Sequence, residues 1–275
     1  TVVQLVLGMP GESQTTIKET IEFVKYCFTL TPELNPNNLS INYAQALPGT
    51  PLYEYGRNKG LIGQSLEEEE EYLLDISDRD AHDEFTTLNF TDYPTLECQT
   101  WRPRITIEVN YAYAKKYGLE KYHELLMRDS NYFRPVGEDE GYHANPKRLV
   151  KTIKVENANP TSDVMSEFSS GQSEVSGLWG LIRQRKLGLA IICYPTIIYR
   201  FRWLLPVLVL YKNTQRFPAS YNTRLILEYV SYKLFNVFLS RKWRFDFRSL
   251  RKIMNQDIGE LTTDTPEMAP LRKGR

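Results

Sequence analysis

The sequence predicts an α/β fold class, with one strand–helix–strand unit followed by a mostly α-helical extension. Residues 2–7 are nearly all apolar, which is typical of a parallel strand buried on both faces. A helix is predicted from about Ser13 to Leu30, and residues 39–46 then alternate as a second strand. A strand, a helix and a strand within about 45 residues predict a right-handed βαβ unit with parallel strands.

The predicted helix carries its own start signals and one apolar stripe. Ser13 is a candidate N-cap, and Thr16 with Glu19 has the spacing of a capping box. Glu12 is expected to serve the positive end of the helix dipole rather than chemistry. Apolar residues recur at helical spacing and predict the buried face: Ile17, Ile21, Val24 and Phe28.

The edges of this two-stranded unit need further partners. A two-stranded parallel sheet cannot cover its own edges, so another strand is expected beside residues 2–7. No later segment offers a good parallel strand. The sheet is therefore expected to be incomplete in residues 1–275.

The turn after the first strand, GMPGES at residues 8–13, is a weak signal on its own. Glycine-rich turns at helix N-termini suit a phosphate or a carboxylate, because free backbone N–H groups point outward there. The turn lacks the Gly-Lys-Ser/Thr of a P-loop and the GxGxxG of a dinucleotide fold. Simple packing of strand against helix remains an alternative.

A second turn about 40 residues later makes the pattern more specific. The stretch LVLGMPGES (5–13) is followed by TIKETI (16–21) and then by LPGTPLYEYGRNKGLI (47–62). This pair of motifs resembles the radical SAM superfamily, and most closely its branch with a cobalamin-binding domain in front of the barrel. The segment 76–91, ISDRDAHDEFTTLNFT, and Trp101 are similar to the family's C-terminal flank. The strong resemblance covers residues 2–63, with weaker similarity to about residue 120.

The resemblance implies that the two strands are the fifth and sixth, and last, of a partial (β/α)6 radical SAM barrel. The family's CxxxCxxC loop, which binds a 4Fe-4S cluster, follows the first strand, and this sequence contains no such motif. The cluster ligands and any cobalamin domain are therefore expected upstream of Thr1. The implied reaction is reductive cleavage of S-adenosylmethionine (SAM) at the cluster to start radical chemistry, with cobalamin-dependent methyl transfer as one outcome. Residues 1–275 are expected to be inactive alone.

The resemblance also implies which residues contact the cofactor and substrate. Two strand ends would flank the adenosyl part of SAM, and their residues are Leu7, Gly8, Met9, Pro10, Gly11, Ala44, Gln45 and Ala46. Asn42 and Tyr43 alternate, so only one can face the barrel interior, and Asn42 is the predicted substrate-facing residue. No catalytic residue and no metal ligand is assigned within the chain.

The predicted organisation has five parts. The barrel end occupies residues 1–63, a helical flank 64–156, a serine-rich linker 157–177, a basic and apolar helical region 178–255, and a disordered tail 256–275. Within the flank, residues 67–84 predict an exposed acidic helix, and residues 105–117 and 120–128 predict two more helices.

A net charge of zero hides a strong asymmetry along the chain. Residues 1–177 carry 16 Lys/Arg against 28 Asp/Glu, whereas residues 178–253 carry 15 against 2. The basic region is also aromatic and aliphatic, but its longest uncharged runs are 13 and nine residues, too short for a membrane span of about 20. Three interpretations stay open: a helical core facing the acidic body, an anionic membrane surface contacted through 178–252, or nucleic acid, against which the high aliphatic content argues.

The remaining residues give no separate site. Three widely spaced cysteines and three scattered histidines fit neither a disulfide framework nor a metal clip, and AHDE (81–84) is typical of a solvated helix face. A reduced, cytoplasmic setting is expected, with peripheral membrane association as a hypothesis that would suit an apolar or lipid-like substrate. The alternative to the enzyme is a non-catalytic peripheral membrane or adaptor protein that retains half a barrel.

Overall fold

The computed structural model describes residues 3–63, 65–77, 88–128, 177–214 and 217–235. Two strands are present in these ranges, β1 (Val3–Leu7) and β2 (Leu39–Tyr43). The α-helices there are α1 (Gln14–Leu30), α2 (Pro51–Asn58), α3 (Leu66–Ser77), α4 (Thr95–Tyr117), α5 (Leu119–Arg128), α6 (Gly177–Arg183), α7 (Leu187–Cys193), α8 (Pro195–Arg200), α9 (Leu205–Asn213) and α10 (Ala219–Phe235). A short 3-10 turn (Arg202–Leu204) joins α8 to α9.

The predicted βαβ unit is present. Strands β1 and β2 are parallel, with Val3 opposite Leu39 and Leu7 opposite Tyr43. Helix α1 begins after the Ser13 N-cap, and its buried residues are the predicted stripe Ile17, Ile21, Val24 and Phe28. This stripe packs with Leu7, Ile41 and Tyr43, so α1 covers one face of the sheet.

The other face of the sheet is open within the described residues. On β1, Gln4 is exposed and Val6 is 56% exposed. The expectation that the first strand is buried on both faces is therefore wrong for this structure, because α1 shields only the alternate set of side chains. The two-stranded sheet leaves the second edge of β1 without a partner strand among the described residues.

Helix α4 is the element against which many of the other described helices pack. It begins at Thr95, ten residues before the start predicted from the 105–117 pattern, and it contains Pro103. Helix α1 packs on one part of α4, and α7, α8, α9 and α10 pack on others. Trp101 of α4 is fully buried in the cluster with the α1 stripe.

Helices α2 and α3 form a small packed unit beyond the second strand. The predicted helix at 67–84 is observed only as α3, and residues 78–87, which include all of AHDE and most of the 76–91 motif, lie outside the described residues. The helix is not fully solvated, because Tyr72 is buried and Glu69 accepts a 2.9 Å hydrogen bond from the Tyr53 hydroxyl. Close packing also surrounds Gly56 of α2, where an added Cβ would lie 2.7 Å from Ile62 Cδ1.

The basic region is helical where it is described, from α6 to α10. Its apolar residues form a core with α4 and the α2–α3 unit, including Leu189, Ile191, Ile198, Leu205 and Val209. The stretch from 187 to 211 is thus divided into short helices. Across the described ranges, no helix combines the length and the apolar character that crossing a membrane requires.

The predicted linker, except for its last residue, and the predicted tail lie outside the described residues. Residues 129–176 and 236–275 lie outside the described ranges, and they include 157–176 and the whole 256–275 segment. Gly177, the last residue assigned to the linker, is instead the first residue of α6.

Candidate functional site at the carboxyl ends of the two strands

Parallel pairing brings the two predicted cofactor-contacting segments together. The backbone N–H of Ala44 donates a 2.7 Å hydrogen bond to the carbonyl oxygen of Leu7. The turn after β1 and the segment after β2 therefore start side by side at the carboxyl edge of the sheet. In open α/β sheets this is the edge where ligands bind.

The turn after β1 depends on two glycines in the left-handed region. Gly8 has a φ of +86° and Gly11 a φ of +82°. Residues other than glycine adopt such values only with strain, because their Cβ atom crowds the backbone. A Cβ on Gly8 would be in ordinary contact with Tyr43, at 3.7 Å, so the backbone conformation and not crowding requires glycine there. The turn is closed by a 3.1 Å hydrogen bond from the Glu12 N–H to the Met9 carbonyl oxygen.

The side chain of Glu12 has a different role from the predicted one. Its carboxylate accepts hydrogen bonds from the backbone N–H groups of Gly8 and Met9, so it ties the turn to itself. Helix α1 is capped instead by Ser13, whose hydroxyl accepts from the Thr16 N–H while the Thr16 hydroxyl accepts from the Ser13 N–H. The predicted box between Thr16 and Glu19 is wrong, since the reciprocal pair lies one turn earlier.

This arrangement limits what the turn can bind. Burial raises the pKa of Glu12, more strongly than its two backbone hydrogen bonds lower it. Because the N–H groups of Gly8 and Met9 already have a carboxylate acceptor, they do not form an open cradle for a phosphate. The geometry favours a neutral group at this turn over an anion.

The eight predicted SAM-contacting residues differ in accessibility. Met9, Pro10 and Gly11 are exposed, and Gln45 is partly exposed. Leu7, Gly8, Ala44 and Ala46 are buried, and the two alanines pack in the core with the α2–α3 unit. The carbonyl oxygen of Ala46 also accepts a 3.0 Å hydrogen bond from the Tyr72 hydroxyl. A ligand at this edge would meet the Met9–Gly11 turn and Gln45 first.

Asn42 and Tyr43 lie on opposite faces of β2. Tyr43 is buried against α1, whereas Asn42 shares the opposite face with Gln4, Val6 and Ser40. The Asn42 Oδ1 atom is buried and has no hydrogen-bond partner among the described residues. An amide oxygen in that state favours a donor from a bound molecule or water.

Other reactive groups do not assemble into a site. Among the described residues, no group of three or more His, Cys, Asp or Glu side chains is arranged to hold a metal ion. Cys27, Cys98 and Cys193 are free thiols, and burial raises the pKa of Cys98 strongly and that of Cys193 to about 12. His123 has its pKa lowered by burial, and His82 and His143 lie outside the described ranges.

These donors do not fit an iron–sulfur cluster within residues 1–275. Such clusters are held by closely grouped cysteine thiolates. The three cysteines are spread over α1, α4 and α7, and burial disfavours the thiolate form of two of them. The adenosyl contacts are a better fit, since the exposed Met9–Gly11 turn lies beside the partly exposed Gln45 at one strand edge.

Comparison of the chain with protein-family models, with curated proteins and with solved structures found no match in any of the three.

Proposed function

We propose that β1, α1 and β2 form the end of a radical SAM barrel, and that the carboxyl edge of the two strands binds the adenosyl part of SAM. The observation that carries the proposal is the hydrogen bond between Ala44 and Leu7. It sets two sequence motifs that are 40 residues apart beside each other, at the edge of a parallel sheet where cofactors bind.

The open edge of β1 supports a larger sheet. One side of β1 pairs with β2, and the other has no partner strand in the described part of the chain. Helix α1, which covers one face of this sheet, also exposes a second apolar stripe, formed by Phe23, Tyr26 and Leu30. Exposed apolar stripes of this kind mark surfaces that another element covers. A preceding strand and helix of the same barrel would cover both features.

Each part of the site has a role in this proposal. The Met9–Gly11 turn and Gln45 hold the adenosine, and the buried amide oxygen of Asn42 meets the substrate on the sheet face opposite α1. A 4Fe-4S cluster, once bound and reduced by an external electron donor, would supply the electron that cleaves SAM. Its ligands, and any cobalamin domain, would be contributed by chain outside residues 1–275. The substrate is a small or lipid-like molecule, and the setting is cytoplasmic.

A non-catalytic adaptor that keeps half a barrel is the second candidate. It is favoured by exposed aromatic side chains of the basic region, such as Phe201 and Trp203, which need no cofactor to act. The two candidates differ in whether the complete protein cleaves SAM.

The test uses the complete gene product, purified without oxygen, reconstituted with iron and sulfide, and reduced with dithionite as the electron donor. Formation of 5′-deoxyadenosine from SAM is measured by chromatography and mass spectrometry. Met9→Ala should raise the KM for SAM about tenfold, because it removes one apolar contact worth about 1.4 kcal/mol. Leu119→Ala is the control, since Leu119 is similarly exposed, at 42% against 43% for Met9, but lies at the start of α5. A complete protein that forms no 5′-deoxyadenosine would favour the adaptor.

A further inference from the structure

On the segment from α6 to α9, aromatic and cationic side chains form a surface that is not packed into the core. Residues 177–214 contain six Lys or Arg and no Asp or Glu. On this segment, apolar and basic side chains protrude together. We call them the aromatic–cationic surface: Phe201, Trp203, Val207, Tyr211, Arg183 and Arg200.

Helix α9 shows that this exposure follows from helix geometry. Leu205, Val209 and Asn213 are buried at steps of four. Val207 and Tyr211 are also four residues apart, and an offset of two residues turns them about 200° away from the buried stripe. Trp203 lies four residues before Val207, in the 3-10 turn that precedes α9. Trp203 is 71% exposed and Val207 is 58% exposed. The helix therefore has an apolar face toward the core and a second apolar face toward the outside.

Contacts between elements place cations beside this outward face. The Tyr211 hydroxyl donates a 3.3 Å hydrogen bond to the Arg183 carbonyl oxygen, which brings the end of α6 next to α9. The guanidinium of Arg185 lies 5.0 Å from the centre of the Tyr211 ring. At the other end, Arg200 and Phe201 immediately precede the turn that carries Trp203.

The acidic body does not neutralise these cations. Arg202 is 3.4 Å from Glu108 of α4, and on α10 Lys233 is 3.2 Å from Glu97. Arg183 and Arg200 are exposed, and neither has an ion pair within the described ranges. The charges on this surface that have no ion-pair partner among the described residues are therefore positive, and they accompany the exposed aromatic side chains.

We propose that the aromatic–cationic surface binds an anionic lipid bilayer from one side. Tryptophan and phenylalanine rings favour the headgroup region of a bilayer, and nearby arginines favour its phosphate and carboxylate groups. Nucleic acid fits less well, because Val207 lies at the centre of the α9 stripe and offers no stacking surface. This proposal goes beyond SAM chemistry and does not depend on it.

The test measures binding of residues 1–275 to lipid vesicles by co-sedimentation at low salt. One vesicle is made of equal parts phosphatidylcholine and phosphatidylserine, and the other of phosphatidylcholine alone. The wild-type chain should bind the first and be released by salt. Trp203→Ser with Val207→Ser should weaken this binding at least tenfold, since about two exposed apolar side chains no longer enter the bilayer.

The charge contribution has its own variant and a matched control. Arg183→Ala with Arg200→Ala should lower binding about 25-fold, at about fivefold for each cation near the surface. Lys18→Ala with Lys59→Ala removes the same charge from α1 and from the end of α2, and should change binding by less than about threefold. Thermal unfolding of each variant, followed by circular dichroism, shows whether the fold is retained.

Three results would overturn the proposal. The first is equal binding to both vesicles, and the second is wild-type binding by the Trp203 and Val207 double variant, which would place the contact elsewhere in the chain. The third is an absence of vesicle binding together with self-association that the Trp203 variant abolishes. That outcome would make this surface a contact between two copies of the chain.

Discussion

Replacing Glu12 by alanine should loosen the turn that follows β1. The Glu12 carboxylate is the acceptor for the backbone N–H groups of both Gly8 and Met9. A hydrogen bond to a charged acceptor contributes about 1.5 to 3 kcal/mol when it is buried. Burial penalises the charge of this carboxylate and offsets that contribution, as its raised pKa shows. The expected cost is therefore that of leaving two partly buried N–H groups without an acceptor, about 1 kcal/mol each. Glu12→Ala should therefore lower the free energy of unfolding by about 2 kcal/mol.

Urea denaturation at neutral pH measures this loss as a shift in the transition midpoint. Glu19→Ala is the control, because Glu19 is an exposed glutamate on α1 and does not contact the turn. A Glu12→Ala variant within about 0.5 kcal/mol of the control would refute the assigned role of the carboxylate, since ordinary surface substitutions stay within that range.

The raised pKa of Glu12 also predicts how the free energy of unfolding changes with pH. Burial raises the pKa of Glu12 in the folded protein, so the folded state holds this proton more tightly than the unfolded state does. The resulting stabilisation is complete below the unfolded pKa of about 4.3 and is lost as pH rises through the folded pKa. Glu12→Gln does not titrate, so its stability relative to wild type should increase from about pH 4 to about pH 7. A difference that stays constant with pH would contradict the raised pKa.

The remaining predictions concern packing and thiol reactivity. Gly56→Ala should destabilise the protein by about 1 to 2 kcal/mol in urea denaturation, because crowding in α2 exceeds the gain in helix propensity. Gly188→Ala, a helical glycine with open space around it, should instead be neutral or stabilising by up to about 1 kcal/mol, and equal effects would refute the packing argument. In the native protein, Cys27 should react first with a thiol reagent, since Cys98 and Cys193 are buried with raised pKa values. Modification of all three at one rate before unfolding would contradict this order.

The βαβ unit was predictable because its signals are local. The apolar stripe of α1, its Ser13 cap and the alternation along β2 each lie within one element, and all three are observed. The exposed face of β1 was not predictable in the same way. An apolar strand such as β1 shows which side chains could be buried, whereas their burial depends on which other segments pack over them.

The candidate site was only partly predictable, because its details depend on contacts between segments. Motif spacing identified the two strand ends that lie together. The buried state of Ala46 and the hydrogen bond from Tyr72 to its carbonyl oxygen depend on α3, whose acidic sequence indicated a solvated helix. The part of Glu12 in closing the turn was also missed. Its signal was present, because a carboxylate four residues after Gly8 can reach the free N–H groups of the turn.

The outward aromatic face of the basic region could not be predicted from its composition. A stretch such as LLPVLVLY is apolar on every side, so periodicity does not separate the buried from the exposed stripe of α9. The positions of α4 and α7, which pack against α9, decide which stripe is covered. The sequence established the charge of this region, and packing determined where Trp203 points.

The most direct test of the central claim is to sequence the coding DNA upstream of Thr1. The claim is that β1 and β2 are the last two strands of a radical SAM barrel. It predicts an in-frame CxxxCxxC motif after an earlier strand, with further strand–helix units between that motif and Thr1. A start codon immediately before Thr1, with no cysteine motif in frame, would contradict the claim. The edge of β1 would then need another partner, and the SAM site proposed beside Met9 and Gln45 would have no cluster to act with.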